Sequence, residues 1–196
     1  LDGTVERPSE RERASQTPCN SMSEDLLSVF RKTGALLDGH FVLRSGLHSR
    51  EYFQCAILLQ HTEIAAQVCG RLADKVRQFD CDTVISPALG GIIVGQEVGR
   101  SLGKRHIFVE KDEGKLVLRR GFQISPNERF VIVEDVVTTG GSSLLAIERC
   151  EAAGLKIQRV LAIIDRLEGG REAFESHGYE LTTLFTVRDF GIDDEG

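Results

Sequence analysis

Residues 130–143 read F-V-I-V-E-D-V-V-T-T-G-G-S-S, passing from an apolar run through two adjacent carboxylates into a glycine- and hydroxyl-rich stretch. An amphipathic segment, residues 144–153, follows at once. The order is buried strand, acidic pair, loop, helix. Val131, Ile132 and Val133 form the β-branched run typical of a parallel strand covered on both faces. Glu134 and Asp135 then stand at the strand's carboxyl end, where open α/β sheets bind ligands. Gly140 and Gly141 let backbone N–H groups close around an anion, and Thr138, Thr139 and Ser142 add hydroxyl donors. The helix start adds the positive end of its dipole. The loop therefore reads as a phosphate cradle, with the acidic pair placed to accept hydrogen bonds from sugar hydroxyls. A sugar phosphate is the natural occupant. No lysine follows the glycines and no G-x-G-x-x-G is present, which excludes the common mononucleotide and dinucleotide loops.

Outward from this unit, short apolar runs at residues 83–86, 106–109 and 159–165 alternate with helical spacing. Thr62 is placed to cap a helix to about residue 79, with Ile64, Ala65, Val68, Leu72 and Val76 on one face. A second helix spans 92–102 and closes at Gly103; residues 111–122 read as a charged loop. This alternation predicts an α/β fold, a mostly parallel central sheet with helices on both faces. A short helix near 172–177 and a strand near 180–185 end the pattern. Before it come a helix around Leu26, Leu27 and Phe30 and two β-like pieces, 41–43 and 52–54. The expected division is a polar, disordered extension (1–21), one domain (22–190) and a tail (191–196). Within the domain, the core is about 62–166. Residues 22–61 with 167–190 form a small hood over the sheet's carboxyl edge. Met22, the single methionine, directly precedes the first amphipathic segment and is the expected start of translation.

The balance of charge, −6 over 196 residues, argues against nucleic acid as the main partner. No apolar run approaches the ~20 residues of a membrane span. The five cysteines, Cys19, Cys55, Cys69, Cys81 and Cys150, are scattered and contain no C-x-x-C pair, so neither a zinc site nor a disulfide framework is expected. Cys69 and Cys150 fall on apolar helical faces. No hydrophobic signal segment is evident, and a reduced cytoplasmic setting is the expectation that fits these cysteines.

The stretch E-D-V-V-T-T-G-G-S, Glu134 to Ser142, resembles the phosphoribosyl-pyrophosphate (PRPP) signature of type I phosphoribosyltransferases in its orotate form. The resemblance implies that Glu134 and Asp135 hold the ribose hydroxyls. It implies that the segment Val136, Val137, Thr138, Thr139, Gly140, Gly141 and Ser142 completes PRPP binding around the 5-phosphate. Residues 86–91, S-P-A-L-G-G, are similar to the family's pyrophosphate loop, with Ala88, Leu89, Gly90 and Gly91 acting through backbone groups. Residues 43–54 resemble the family's hood motif; Tyr52 and Phe53 match an aromatic pair that covers the orotate ring, and Arg44 matches a basic contact to substrate. Asp165-Arg166 and Thr138 match orotate contacts, Arg166 offering a planar fork to the orotate carboxylate. Residues 110–121, E-K-D-E-G-K-L-V-L-R-R-G, resemble a shorter-loop branch of the family, with Lys111 as a PRPP and catalytic contact beside Asp135. In this branch Lys115, Arg119 and Arg120 supply further positive charge. The resemblance covers residues 34–190. It implies PRPP and orotate as substrates and Mg²⁺ as cofactor without a firm protein ligand. A homodimer is also implied, with the mobile loop near the interface. A purine phosphoribosyltransferase and a PRPP-binding transcriptional regulator are the competing readings; a purine has no carboxylate for Arg166, and a regulator needs a basic DNA-binding element.

Overall fold

A computed structural model describes residues 21–42, 48–112 and 115–192. In chain order the elements are α1 (Ser21–Lys32), β1 (Leu36–Val42), β2 (His48–Phe53), α2 (Cys55–Leu59), α3 (Thr62–Asp74), β3 (Thr83–Pro87) and α4 (Gly90–Leu102). There follow β4 (Arg105–Asp112), β5 (Lys115–Leu118), β6 (Arg129–Val137), α5 (Gly141–Ala152), β7 (Lys156–Asp165), α6 (Gly170–Ser176) and β8 (Leu181–Thr186). A 3₁₀ turn, Val187–Phe190, comes last.

The main sheet has the order β5-β4-β3-β6-β7-β8. β4, β3, β6, β7 and β8 run parallel, and β5 is antiparallel to β4 at one edge. Side chains on a strand alternate between faces, and the core divides accordingly. Val131, Val133, Leu161 and Ile163 join Val68, Leu72, Val94 and Val98 of α3 and α4 in one apolar cluster. Phe130, Ile132, Val160 and Ala162 join Ala146, Ile147 and Cys150 of α5, with Phe174 of α6, in the other. Continuous β-branched runs in β6 and β7 are thus consumed by two helical layers, as the sequence predicts.

Four differences from the sequence reading stand out. First, residues 111–122 are not a loop throughout: β4 runs on to Asp112 and pairs with β5 as a hairpin, Val109 opposite Leu118 and Lys111 opposite Leu116. The many charges hid a strand whose Leu118 packs on the second cluster. Second, β8 pairs with β7 in the main sheet and α6 packs on the α5 side, so residues 170–186 lie with the core rather than the hood. Third, α3 begins at Thr62 with His61 at its N-cap and ends at Asp74; apolar spacing continues through the turn that buries Val76, so periodicity alone overshoots. Fourth, α2 fills the link between β2 and α3, and its run Cys55–Leu59 is too short for periodicity to separate helix from strand.

The hood consists of α1 and the β1–β2 hairpin. It is tied to the core by phenylalanines from four elements. Phe30 packs edge-to-face on Phe53, Phe185 and Phe190, at centroid distances of 6.4, 5.8 and 5.2 Å. Phe53 meets Phe190 at 4.9 Å. Each such pair adds about 0.5–1.5 kcal/mol beyond the area it buries. The disorder expected for residues 1–21 falls almost wholly outside the described residues, as do Arg44 and positions 193–196.

Candidate active site at the carboxyl edge of the sheet

β3, β6 and β7 are neighbours and parallel, so the connections leaving their carboxyl ends meet at one edge. The chain adds β4 on one side of β3 and β6 on the other, which makes this edge a topological switch point. Two helices start there, α4 at Gly90 and α5 at Gly141, and neither has a side-chain cap. Their first N–H groups are the unsatisfied donors of a helix N-terminus and carry its positive dipole. α4 covers one face of the sheet and α5 the other, so two anion-binding ends flank one strand edge.

The loop after β6 is shaped by glycine at two points. Gly140 is left-handed, with φ of 76°. A Cβ on Gly170 would lie 2.4 Å from the carbonyl oxygen of Thr138 and 3.3 Å from the amide nitrogen of Gly140, so α6 presses directly against the back of the loop. Thr139, Gly141 and Ser142 are exposed on its outer side, and Thr138 is half-buried. The loop after β3 contains a cis Ala88–Leu89 peptide, and Leu89 is exposed. A Cβ on Gly90 would stand 2.6 Å from Oδ2 of Asp135, and one on Gly91 would stand 3.0 Å from the Val133 carbonyl oxygen. The Ala88–Gly91 loop therefore lies directly against β6 at Val133 and Asp135, just before the Thr138–Ser142 loop begins.

The acidic pair lies inside β6, which extends to Val137, and strand alternation splits it. Asp135 faces α4, and its Oδ1 accepts the Val136 N–H at 2.9 Å. Glu134 faces α5, and its Oε1 accepts the Ser143 hydroxyl at 2.7 Å. Burial pushes the Asp135 carboxyl above its ordinary range, partly offset by main-chain hydrogen bonds. Cys55 is buried nearby; burial first and the Asp135 charge second raise its thiol well above the usual value. It is a packing residue rather than a nucleophile.

Beneath the Ala88–Gly91 loop, the buried Ser86 hydroxyl pairs with His106 Nε2 at 2.8 Å. A Cβ at Gly95 would fall 2.4 Å from that nitrogen. Burial holds His106 down to about 4, so the ring is neutral at pH 7. Nothing in a lone Ser and a lone His twenty positions apart marks this pair in the sequence.

Arg166 follows β7, and its N–H donates to the Val137 carbonyl oxygen at 2.9 Å, fixing it beside the phosphate loop. The residue is 8% exposed, and its guanidinium reaches three acceptors: Glu168 Oε1 from Nε at 2.6 Å, Ser49 Oγ from Nη2 at 3.0 Å and the Glu51 carbonyl oxygen from Nη1 at 3.2 Å. Among the described residues these bonds use three of the five guanidinium N–H groups, one on each nitrogen. Asp165 is not its partner; that carboxylate accepts from Arg171 at 3.0 Å and from the Leu167 N–H at 2.9 Å. Ser49 lies within the hood motif of residues 43–54, but its bond to Arg166, like the roles of Glu168 and Gly170, arises only when β2, β7 and α6 meet.

Tyr52 and Phe53 do not share a face. Tyr52 is exposed and stacks on Phe41 at 5.5 Å, whereas Phe53 enters the phenylalanine core, with the Arg166 guanidinium carbon 6.0 Å from its ring centroid. Adjacent strand residues point oppositely, so a side-by-side aromatic pair is corrected to one surface ring and one supporting ring. In the β4–β5 hairpin Lys111 is exposed. Arg119 pairs with Asp112, and Arg120 grips Glu110 through two bonds of 2.8 and 2.5 Å. The extra positive charge expected of Arg119 and Arg120 is thus already matched by carboxylates of β4.

Among the described residues no group of three His, Cys, Asp or Glu side chains is arranged to hold a metal. A Mg²⁺ ion that arrives with a diphosphate and keeps most of its waters needs only one or two carboxylates. Asp135, beside Gly90 at the mouth of the α4 N-terminus, suits that need.

No family model matches the chain. It is 50% identical over 147 residues to an orotate phosphoribosyltransferase of Chlorobaculum parvum, covering 75% of this chain and 76% of that protein. It is 47% identical over 146 residues to an orotate phosphoribosyltransferase of Desulforamulus reducens, covering 74% and 76%. The crystal structure of orotate phosphoribosyltransferase from Aeropyrum pernix superposes with a TM-score of 0.71 at 29% identity, over 84% of this chain and 96% of that one. The fold is that of a type I phosphoribosyltransferase. The chain belongs to the orotate phosphoribosyltransferase family.

Proposed function

We infer that the protein transfers the 5-phosphoribosyl group of PRPP to N1 of orotate, giving orotidine 5-phosphate and pyrophosphate in pyrimidine nucleotide synthesis. The observation that carries this reading is the meeting of two uncapped, glycine-rich helix starts at one sheet edge, α4 against Asp135 and α5 against Glu134, with Arg166 beside the loop after β6. One substrate bearing a phosphate, a diphosphate and a sugar, together with a carboxylate-bearing base, uses all of these features.

In this reading the loop from Thr138 to Ser142 holds the 5-phosphate through backbone N–H groups, and the Ala88–Gly91 loop holds the diphosphate. Asp135 accepts from a ribose hydroxyl, and Glu134 supports the loop through Ser143. Arg166 and Thr138 orient orotate through its carboxylate, and Tyr52 shelters the ring. The ribose carbon becomes oxocarbenium-like as its bond to diphosphate oxygen breaks, and N1 attacks from the opposite face. The site then contributes positioning and charge stabilisation more than a nucleophile. When bound, Mg²⁺ supplies neutralising charge to the diphosphate. Lys111 provides a further positive charge near the leaving group. The enzyme works as a cytoplasmic homodimer whose interface lies beside the Ala88–Gly91 loop and the β4–β5 hairpin. None of the helices among the described residues is long and apolar enough to cross a membrane.

The test is loss of orotate absorbance with PRPP and Mg²⁺, with hypoxanthine and uracil as controls. Orotate is consumed and the controls are not; turnover of hypoxanthine without orotate overturns the assignment.

A further inference from the structure

Among the described residues, one buried side-chain oxygen or nitrogen has no hydrogen-bond partner: Oε2 of Glu168. Buried polar atoms are almost always satisfied, so this exception needs a reason. Its sister atom Oε1 accepts from Nε of Arg166 at 2.6 Å. A carboxylate on arginine gains most from two parallel N–H bonds, yet Glu168 makes one. The neighbouring Nη2 donates to Ser49 instead. Glu168 lies between two left-handed residues, Leu167 with φ of 58° and Gly169 with φ of 88°, in the short link from β7 to α6. A non-glycine residue at positive φ is uncommon, and the glycine beyond it is free to change conformation. Glu168 is thus held on Arg166 by one bond, with half of its carboxylate dehydrated and unmatched.

We propose that Glu168 is an internal competitor, a carboxylate that sits on Nε of Arg166 in the free enzyme, holds down the affinity for a carboxylate-bearing base and is replaced there by the carboxylate of that base. This rests on Arg166 being the partner of the orotate carboxylate. A base that carries a carboxylate exchanges one anion for another on the same guanidinium, and Glu168 regains water on both oxygens. A base without one, such as uracil, offers Arg166 nothing in exchange and leaves the Arg166–Glu168 pair in place. The preference for orotate over uracil is a difference between two affinities, and the resident competitor narrows it by weakening orotate alone.

The experiment is initial-rate kinetics on the full chain at saturating PRPP and Mg²⁺, reading orotate KM, inhibition by uracil, and PRPP KM. Glu168→Ala removes the competitor, and orotate KM falls about 10-fold, the scale of one charge-assisted hydrogen bond. The uracil inhibition constant and PRPP KM stay within about 2-fold, because neither ligand displaces Glu168. Glu168→Gln keeps a weaker acceptor and gives a smaller fall in orotate KM, which carries the test if the alanine variant does not fold. An orotate KM that is unchanged or raised in both variants overturns the proposal, as does an equal fall for orotate and uracil. Arg166→Lys separates this from the underlying reading. It raises orotate KM at least 10-fold if Arg166 meets the carboxylate. An unchanged KM there means that the role of Arg166 itself is wrong.

Discussion

At the scale of single residues, Asp135 and Gly90 are one functional unit. Any side chain at Gly90 must push the Asp135 carboxylate out of place, since even a Cβ comes within 2.6 Å of it. Gly90→Ala therefore raises PRPP KM at least about 10-fold, because the ligand loses a charge-assisted bond. The melting temperature changes little, since the atom that yields is the end of a side chain. Steady-state kinetics beside a thermal melt reads both quantities. Asp135→Asn keeps the shape and removes the charge; losing ~1.5–3 kcal/mol of transition-state stabilisation lowers kcat/KM roughly 10- to 100-fold. Unchanged kinetics would remove Asp135 from the site. The carboxylates and glycines were legible in sequence because each residue type has a narrow chemical use. Their facing was not: strand alternation sends Glu134 and Asp135 to opposite helices, and this emerges only once β6 is known to run on through Val137.

At the scale of elements, β3 and β4 are joined beneath the Ala88–Gly91 loop by the Ser86–His106 contact. The depressed His106 pKa has a consequence for stability. Between about 4 and the ordinary histidine value near 6.5 the unfolded chain binds more protons than the folded one, so stability rises with pH across that window. The contribution is complete above about 6.5 and lost as pH falls toward 4. Urea midpoints measured at about pH 7, 5.5 and 4.5 will fall more steeply for the natural protein than for His106→Asn. Parallel declines would show that His106 titrates normally. The elements that sequence captured best were β6, β7 and α4, where apolar runs, a left-handed Gly103 and helical spacing agree. The β4–β5 hairpin was lost to its own charges, since Glu110 and Asp112 are spent on Arg120 and Arg119 and look like a solvated loop. α2 was lost because five residues hold too little periodicity.

At the scale of the molecule, the sheet brings residues 86–91, 134–142 and 165–168 together although they are far apart in the chain; parallel pairing of β3, β6 and β7 does this. The hood meets the same edge through Ser49 and Glu51 on Arg166. A homodimer placing the β4–β5 hairpin of one subunit beside the Ala88–Gly91 loop of the other would bring Lys111 within reach of its partner's site. Lys111→Ala and Asp135→Ala chains, each inactive alone, then regain activity when denatured and refolded together. Confirmed heterodimers without activity would place Lys111 in its own subunit's site or outside both.

The most direct test of the assigned reaction is its stoichiometry. With PRPP, orotate and Mg²⁺, pyrophosphate release and orotate consumption are followed together, and the product is identified by mass. The fold and site predict one pyrophosphate per orotate consumed, a product with the mass of orotidine 5-phosphate, and no pyrophosphate when orotate is withheld. Pyrophosphate released at the same rate without orotate, or a product formed equally well from hypoxanthine, would contradict it.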